Sequence, residues 1–276
     1  MLSAILVLGI IGLLAAVILY FVSQKFKVVE DPKIDEIEEV LPGANCGGCG
    51  YAGCRALAES IVKTGSSKGR VCTAGGSTVN AKVAEIMGEA VIESNPKMVV
   101  LRCNGNCENA PAKFHYDSAD TCAYANMLMA GESGCAFGCL GYGDCTKACK
   151  FDAIRIDKQT GLPSIDPAKC VCCGACTKAC PRQLLEIRTL VEKQLVWVAC
   201  KNQDKGAEAK KNCATACIGC KKCEKNCEAG AVTVTNNVAF IDGAKCTACG
   251  KCAEGCPTKA IHTLVPIQPA TAATAE

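Results

Sequence analysis

The sequence predicts an α+β chain: an apolar N-terminal transmembrane helix, a small helical metal-binding domain, and two tandem units of one repeated type. Three observations carry this. Residues 2–22 are apolar and uncharged, and a glycine-rich block, PGANCGGCGYAGC, sets cysteines in front of a helical pattern. The third is a cysteine run, CVCCGACTKACP (170–181), that returns as CTACGKCAEGCP (246–257). In the first copy Cys170, Cys173, Cys176 and Cys180 follow C-x2-C-x2-C-x3-C and end at Pro181. Cys246, Cys249, Cys252 and Cys256 repeat it before Pro257. This is the bacterial-ferredoxin spacing for 4Fe–4S clusters, in which three thiolates hold one cube and the fourth reaches a neighbouring one.

Composition agrees. The chain has 276 residues, of which 26 are Cys and only 4% aromatic. Such cysteine density means disulfides or metal, and C-x2-C pairs on glycine-rich loops favour metal. Cores built from so few aromatics are small, so metal ligation would supply much of the folding free energy. The formal charge of +3 counts every Cys as neutral. Six oxidised cubes at about −2 each would bring the loaded chain to about −9. No basic patch with interleaved aromatics is present, which argues against nucleic acid as a partner.

Taken in order, residues 1–27 form an anchor. The apolar stretch is long enough to cross a bilayer and lacks the basic leader and small-residue cleavage site of a signal peptide. Lys25 and Lys27 lie on its C-terminal flank, so that side is expected to be cytoplasmic, a compartment that keeps thiols reduced. Residues 28–95 form the N-terminal 4Fe–4S domain. It begins with an amphipathic connector over 28–42, with Ile34, Ile37, Val40 and Leu41 at helical spacing. Cys46, Cys49 and Cys54 make C-x2-C-x4-C, and Cys72 completes the set. Residues 52–63 carry one apolar helix face, and Cys54 would sit near the start of that helix, where its dipole favours a thiolate. A second is expected over 80–94.

Residues 96–132 connect. A short strand at 99–101 leads to Cys103, followed by Cys107 and Cys122; a similar strand at 195–199 leads to Cys200. These suggest neighbouring strands and an extra cluster on Cys103, Cys107 and Cys122, with Cys200 or Cys213. His115 and His262 read as surface or packing residues. The first dicluster unit spans 133–190. Counting from Cys139, its second ligand position holds Tyr142, and Cys135 is the expected substitute; Lys150 replaces the usual proline. Crossed ligation then expects Cys135, Cys139, Cys145 and Cys180 on one cube and Cys149, Cys170, Cys173 and Cys176 on another, leaving Cys172 a free thiol.

Residues 191–212 supply a strand and then the charged, mobile-looking loop 200–213. The second unit, 213–264, expects Cys217, Cys220, Cys223 and Cys256 on one cube and Cys227, Cys246, Cys249 and Cys252 on the other, with Glu228 at the proline position. The units are an internal repeat, PSIDPAKC returning as AFIDGAKC. Each quartet ends similarly (CKFDAI, CPRQLL, CEAGAV, CPTKAI), where a short helix is expected to place small or aliphatic residues under the clusters, with strands following at 155–157 and 232–235. The tail, 265–276, has nothing to bury.

No Ser/His/Asp set, phosphate-binding glycine loop or Rossmann fingerprint appears, so no substrate-transforming site is expected. The chemistry read from the motifs is one-electron transfer through about six 4Fe–4S clusters. Two other readings stand beside it: a polyferredoxin subunit of some other membrane oxidoreductase, and a zinc-stabilised scaffold without redox chemistry.

The apolar N-terminus, the PGANCGGCGYAGC block and the tandem ferredoxin motifs together resemble the B-type, iron–sulfur subunit of the Rnf electron-transport complex, in its longer polyferredoxin form. The resemblance covers nearly the whole chain. It implies an electron-transfer subunit of an ion-translocating oxidoreductase, taking electrons from reduced ferredoxin in a complex that reduces NAD. It further implies flavin-bearing membrane subunits and membrane lipid as partners. The location it implies is a single pass in the inner membrane, with the clusters on the cytoplasmic side.

Overall fold

The protein is described here by a computed structural model covering residues 2–25, 31–90, 96–117, 120–128, 130–190 and 195–264. The expected tail falls outside the described residues. Helix α1 (Leu2–Lys25) is continuous for 24 residues, as a proline-free run of Leu, Ile, Val and Ala favours. Its side chains are described over residues 9–22, where Ile10, Leu13, Leu14 and Phe21 are exposed. Among the described residues no helix is long and apolar enough to cross a membrane.

The N-terminal domain packs three helices. In α2 (Pro32–Val40) the Asp31 carboxylate accepts from Lys33 N at 3.0 Å, and Ile34 and Ile37 face inward. Helix α3 (Cys54–Thr64) buries Leu57, Ala58 and Ile61 and stops at left-handed Gly65. Helix α4 (Gly76–Ile86) adds Val83 to the same core, which also takes in Leu41, Cys54 and Cys72. The connector's helix thus narrows to 32–40, and the helix expected over 80–94 begins earlier and ends at Ile86. A Schellman closure ends it: Gly88 at φ +68°, with Gly88 N donating to Glu85 O and Glu89 N to Ala84 O. Residues 91–94 of that expectation lie outside the described residues.

Two units of one plan follow. The first runs β1 (Lys97–Leu101), α5 (Cys122–Met127), α6 (Asp144–Lys147), β2 (Ile154–Ile156), β3 (Pro163–Ile165), α7 (Ala175–Ala179) and β4 (Leu185–Thr189). Strands β2 and β3 form a hairpin with Ile154 opposite Ile165, and β1 pairs antiparallel with β4, Val99 opposite Ile187. The second runs β5 (Leu195–Val198), α8 (Gly206–Asn212), α9 (Lys222–Lys225), β6 (Val232–Thr235), β7 (Val238–Ile241), α10 (Lys251–Glu254) and β8 (Ile261–Leu264). Here β6 pairs with β7, and β5 with β8, Trp197 opposite His262.

One expectation is corrected in part: within the 200–213 segment α8 takes up 206–212 and seats fully buried Ala209. Strands β1 and β5 are neighbours, as expected, with Val100 packed against Leu195, Trp197 and Ala199, while each hydrogen-bonds within the sheet of its own unit. Side chains join the units instead. Trp197 Nε1 donates to Leu101 O at 3.0 Å, and buried Arg188 donates to Ile241 O at 2.6 Å while lying 4.6 Å from the Phe240 ring centre.

Candidate metal centres

All four quartet loops carry the same backbone. A left-handed residue precedes the second ligand position, at Gly141, Cys172, Gly219 and Ala248 (φ +79°, +53°, +64°, +55°). Another stands two before the third, at Gly143, Gly174, Lys221 and Gly250, and a third follows the last by three, at Asp152, Gln183, Gly230 and Lys259. Interspersed left-handed residues turn backbone N–H groups inward to make a concave anion nest. They also start a short helix with the third cysteine in its first turn: Cys145 in α6, Cys176 in α7, Cys223 in α9 and Cys252 in α10. The odd loop keeps this geometry although Tyr142 stands where a thiol belongs.

The cysteines gather around small, mostly apolar cavities of about 20 Å³ each. One is rimmed by Cys149, Cys170, Cys173 and Cys176, with Cys172 also on its wall, and one by Cys217, Cys220, Cys223 and Cys256. Cys252 lies within electrostatic reach of Cys246, Cys249 and Cys227. In the N-terminal domain Cys49, Cys54 and Cys72 share one apolar cluster, with Cys46 three residues upstream on the same loop.

The remaining two sets differ from expectation. Cys139, Cys145 and Cys180 rim a cavity whose fourth cysteine is Cys122, not Cys135. Cys135 instead joins Cys103, Cys200 and Cys213 around another. Cys107, expected beside Cys103, is exposed, and its Sγ lies 3.5 Å from Thr160 O. The physical reason is docking. Helix α5 lies against α6, with the Asp144 carboxylate accepting from Cys122 N and Ala123 N, both at 3.0 Å. Arg182 reaches the other end of α5, donating from Nε to Asn126 Oδ1 at 3.0 Å. Neither contact shows in ligand spacing. The available signal was anomaly within the repeat: Asp144 stands where the other units have Ala175, Lys222 and Lys251, and Arg182 where the second unit has Thr258.

Amides point at the sulfurs. Cys139 N donates to Cys103 Sγ at 3.3 Å, Cys217 N to Cys200 Sγ at 3.3 Å, and Asn202 Nδ2 to Cys135 Sγ at 3.4 Å. Elsewhere Gly75 N serves Cys72, Leu184 N serves Cys180, Ala231 N serves Cys227 and Ala248 N serves Cys246. Burial pushes the thiols of Cys103, Cys139, Cys145 and Cys200 up to about 12. A hydrogen bond from the Cys172 thiol holds Cys170 down at about 6. The Cys172 sulfur also donates toward Lys97 O at 3.2 Å.

The N-terminal loop meets the first unit at Gly48. A side chain there would begin 2.8 Å from Cys173 Cα and 2.6 Å from Thr73 Oγ1, so the two cysteine loops touch backbone to backbone.

This donor chemistry fits iron–sulfur cubes. The gathered groups are sulfurs with no His beside them, and the one carboxylate on a wall, Asp144, accepts from backbone N–H groups of α5; N–H donors aimed at the sulfurs suit negatively charged cluster sulfur. A tetrahedral ion with sulfur at about 2.3 Å draws its thiolates to within about 4 Å of one another. Among the described residues no group of three or more His, Cys, Asp or Glu is placed to hold a single metal ion. A cube, with each thiolate on a different iron, needs a wider cage.

Comparison with known proteins agrees. Residues 41–70 match a family model for an Fe-S cluster, and residues 216–261 match the 4Fe-4S dicluster domain. The chain is 44% identical over 266 residues to the B-type subunit of the Na(+)-translocating ferredoxin:NAD(+) oxidoreductase complex of Acetobacterium woodii, covering 95% of this chain and 78% of that one. It is 42% identical over 262 residues to the B-type subunit of the ion-translocating oxidoreductase complex of Methanosarcina acetivorans, covering 95% and 98%. Identity to the same subunit of the proton-translocating ferredoxin:NAD(+) oxidoreductase complex of Clostridium ljungdahlii is 38% over 261 residues, covering 94% and 91%. With Fe–S domains in a mixed α/β fold and this likeness over nearly its full length, the chain belongs to the B-type subunit family of ion-translocating (Rnf) oxidoreductase complexes, as their electron-transfer subunit.

Proposed function

We propose that the chain is a membrane-anchored electron relay that accepts electrons from reduced ferredoxin within an ion-translocating ferredoxin:NAD oxidoreductase complex. Six cysteine quartets would hold 4Fe–4S clusters. They are Cys46, Cys49, Cys54 and Cys72; Cys149, Cys170, Cys173 and Cys176; Cys122, Cys139, Cys145 and Cys180; Cys103, Cys135, Cys200 and Cys213; Cys217, Cys220, Cys223 and Cys256; and Cys227, Cys246, Cys249 and Cys252. When bound, such clusters supply reversible one-electron chemistry. The observation that carries the reading is the fourfold nest backbone, with at least four cysteines lining each of the four cavities. The residues' part is to hold thiolates in fixed cages, to direct N–H groups at sulfur, and to keep water off through Leu101, Ile154 and Ile261.

Helix α1 would anchor the chain in lipid as a single pass, with Lys25 and Lys27 keeping the cysteine domains on the cytoplasmic side. Flavin-bearing membrane subunits of the complex would take the electrons onward. The uncharged helix offers no ion path of its own, so translocation falls to other subunits.

Membranes bearing the chain should keep it through a high-salt wash and release it to detergent. The extracted, reconstituted protein should then hold about 24 irons with equal sulfide. Release by salt would remove the anchor. A count near 20 would remove one quartet, and zinc without sulfide would overturn the relay.

A further inference from the structure

The loop from Cys139 to Cys149 keeps its nest geometry, with Gly141 and Gly143 left-handed, yet offers Tyr142 at the second ligand position. A four-thiolate cage there has to draw its missing member from elsewhere in the chain. Cys122 lies 17 positions upstream of Cys139, on a helix of six residues, too short to be stable alone.

What holds that helix comes from residues beside the cavity's own cysteines. Asp144 directly precedes Cys145, and its two carboxylate oxygens receive Cys122 N and Ala123 N at 3.0 Å each. One turn on, Lys147 Nζ donates to Asp120 O at 3.3 Å. Arg182, two residues after Cys180, grips the helix's C-terminal end. Its Nε donates to Asn126 Oδ1 at 3.0 Å, and its terminal nitrogens donate to the carbonyls of Ala130, Cys135 and Gly138. Between the clamps Ala125 is fully buried. The other short helices of the two units carry Ala175, Lys222 and Lys251 where α6 carries Asp144. The carboxylate is therefore peculiar to the loop that lacks a thiol.

We propose that Asp144 and Arg182 are positioning residues that dock α5 over the Cys139, Cys145 and Cys180 cavity and so supply Cys122 as its fourth thiolate. The pair replaces, by long-range hydrogen bonds, what local spacing supplies in the three regular quartets. Asp144 fixes the backbone of Cys122 itself, and Arg182 stops the far end of the short helix from swinging away. This rests on the reading that Cys122 belongs to an iron–sulfur centre, and the experiment separates the two.

The full chain, extracted in detergent, is reconstituted with ferrous iron and sulfide. Iron content is measured, and the oxidised protein is examined by electron paramagnetic resonance for a three-iron centre. Cys122→Ala should either lose one iron and show a three-iron signal absent from the parent or lose the four irons of that cube outright. If it keeps the parent's iron and spectrum, the reading of Cys122 fails. The double variant Asp144→Ala with Arg182→Ala should reproduce the Cys122→Ala result while the other centres stay loaded. Parent-like iron and spectrum in the double variant, beside an altered Cys122→Ala, would sink the positioning role alone. Loss of iron from every centre would make Asp144 and Arg182 general fold residues and overturn the assignment. Asp144→Asn, which keeps one acceptor oxygen, should fall between parent and Asp144→Ala, and equality with Asp144→Ala would refute the hydrogen-bond account.

Discussion

Asn202 is 1% exposed, and its amide reaches the Cys135 sulfur while its Oδ1 accepts from Asp204 N at 2.7 Å. Among the described residues it is the one side-chain amide directed at a cysteine sulfur. Such a donor favours the more negative, reduced state of whatever the sulfur holds. Replacing it with Leu keeps volume and removes the donor. About 1 kcal/mol of differential stabilisation corresponds to roughly 40 mV in a one-electron couple. Asn202→Leu should therefore lower the midpoint of one centre by tens of millivolts in a redox titration and leave the others in place. An unshifted set of midpoints would show that the bond does not discriminate between oxidation states. Asn202 has no spacing signature, since an Asn two residues after Cys200 reads as one more polar loop residue.

At the level of elements, four short helices begin after the same left-handed residue, which is Gly143, Gly174 and Gly250 in three cases but Lys221 in the fourth. A side chain in that conformation costs about 1 kcal/mol or more. Lys221→Gly should stabilise the second unit by roughly that amount, offset by glycine's greater freedom when unfolded. Thermal bleaching of the reconstituted protein should start later, and an earlier onset would mean that the lysine side chain has a compensating contact. This regularity explains what could be read from the sequence. Cysteine spacing within one loop is local, so the three regular quartets and the helix start at Cys54 were visible in the spacing. The place of Cys122 was not, because the bonds that dock α5 link residues 22 and 56 positions apart. Proximity in sequence favoured Cys135, which faces another cavity. The partners of β1 and β5 were hidden likewise, since alternating apolar residues declare a strand and not its neighbour.

Across the whole molecule, the two units meet through a mixed interface. Val100, Leu195, Trp197 and Ala199 form its apolar part, and Arg188 crosses it to the carbonyl of Ile241 beside Glu186 at 3.0 Å. Truncating a buried, hydrogen-bonded guanidinium leaves that carbonyl without its donor, at roughly 2 kcal/mol. Arg188→Ala should therefore lower the thermal stability of both units together, and unchanged melting would make the contact incidental. Among the described residues each β-sheet has only two strands. Small sheets of this kind gain little from pairing alone, so cohesion comes from side chains and from what the cysteines hold. Gly48 shows how fine the tolerance becomes. Its neighbours leave room for a hydrogen atom and for nothing larger, so every substitution at that position is an addition. Variation there can drift in one direction only, toward a wider gap between the N-terminal loop and Cys173. A family member that gained even a methyl group would have to rebuild the facing loop in the same step, which makes the seam between these two pieces one that cannot be edited from one side.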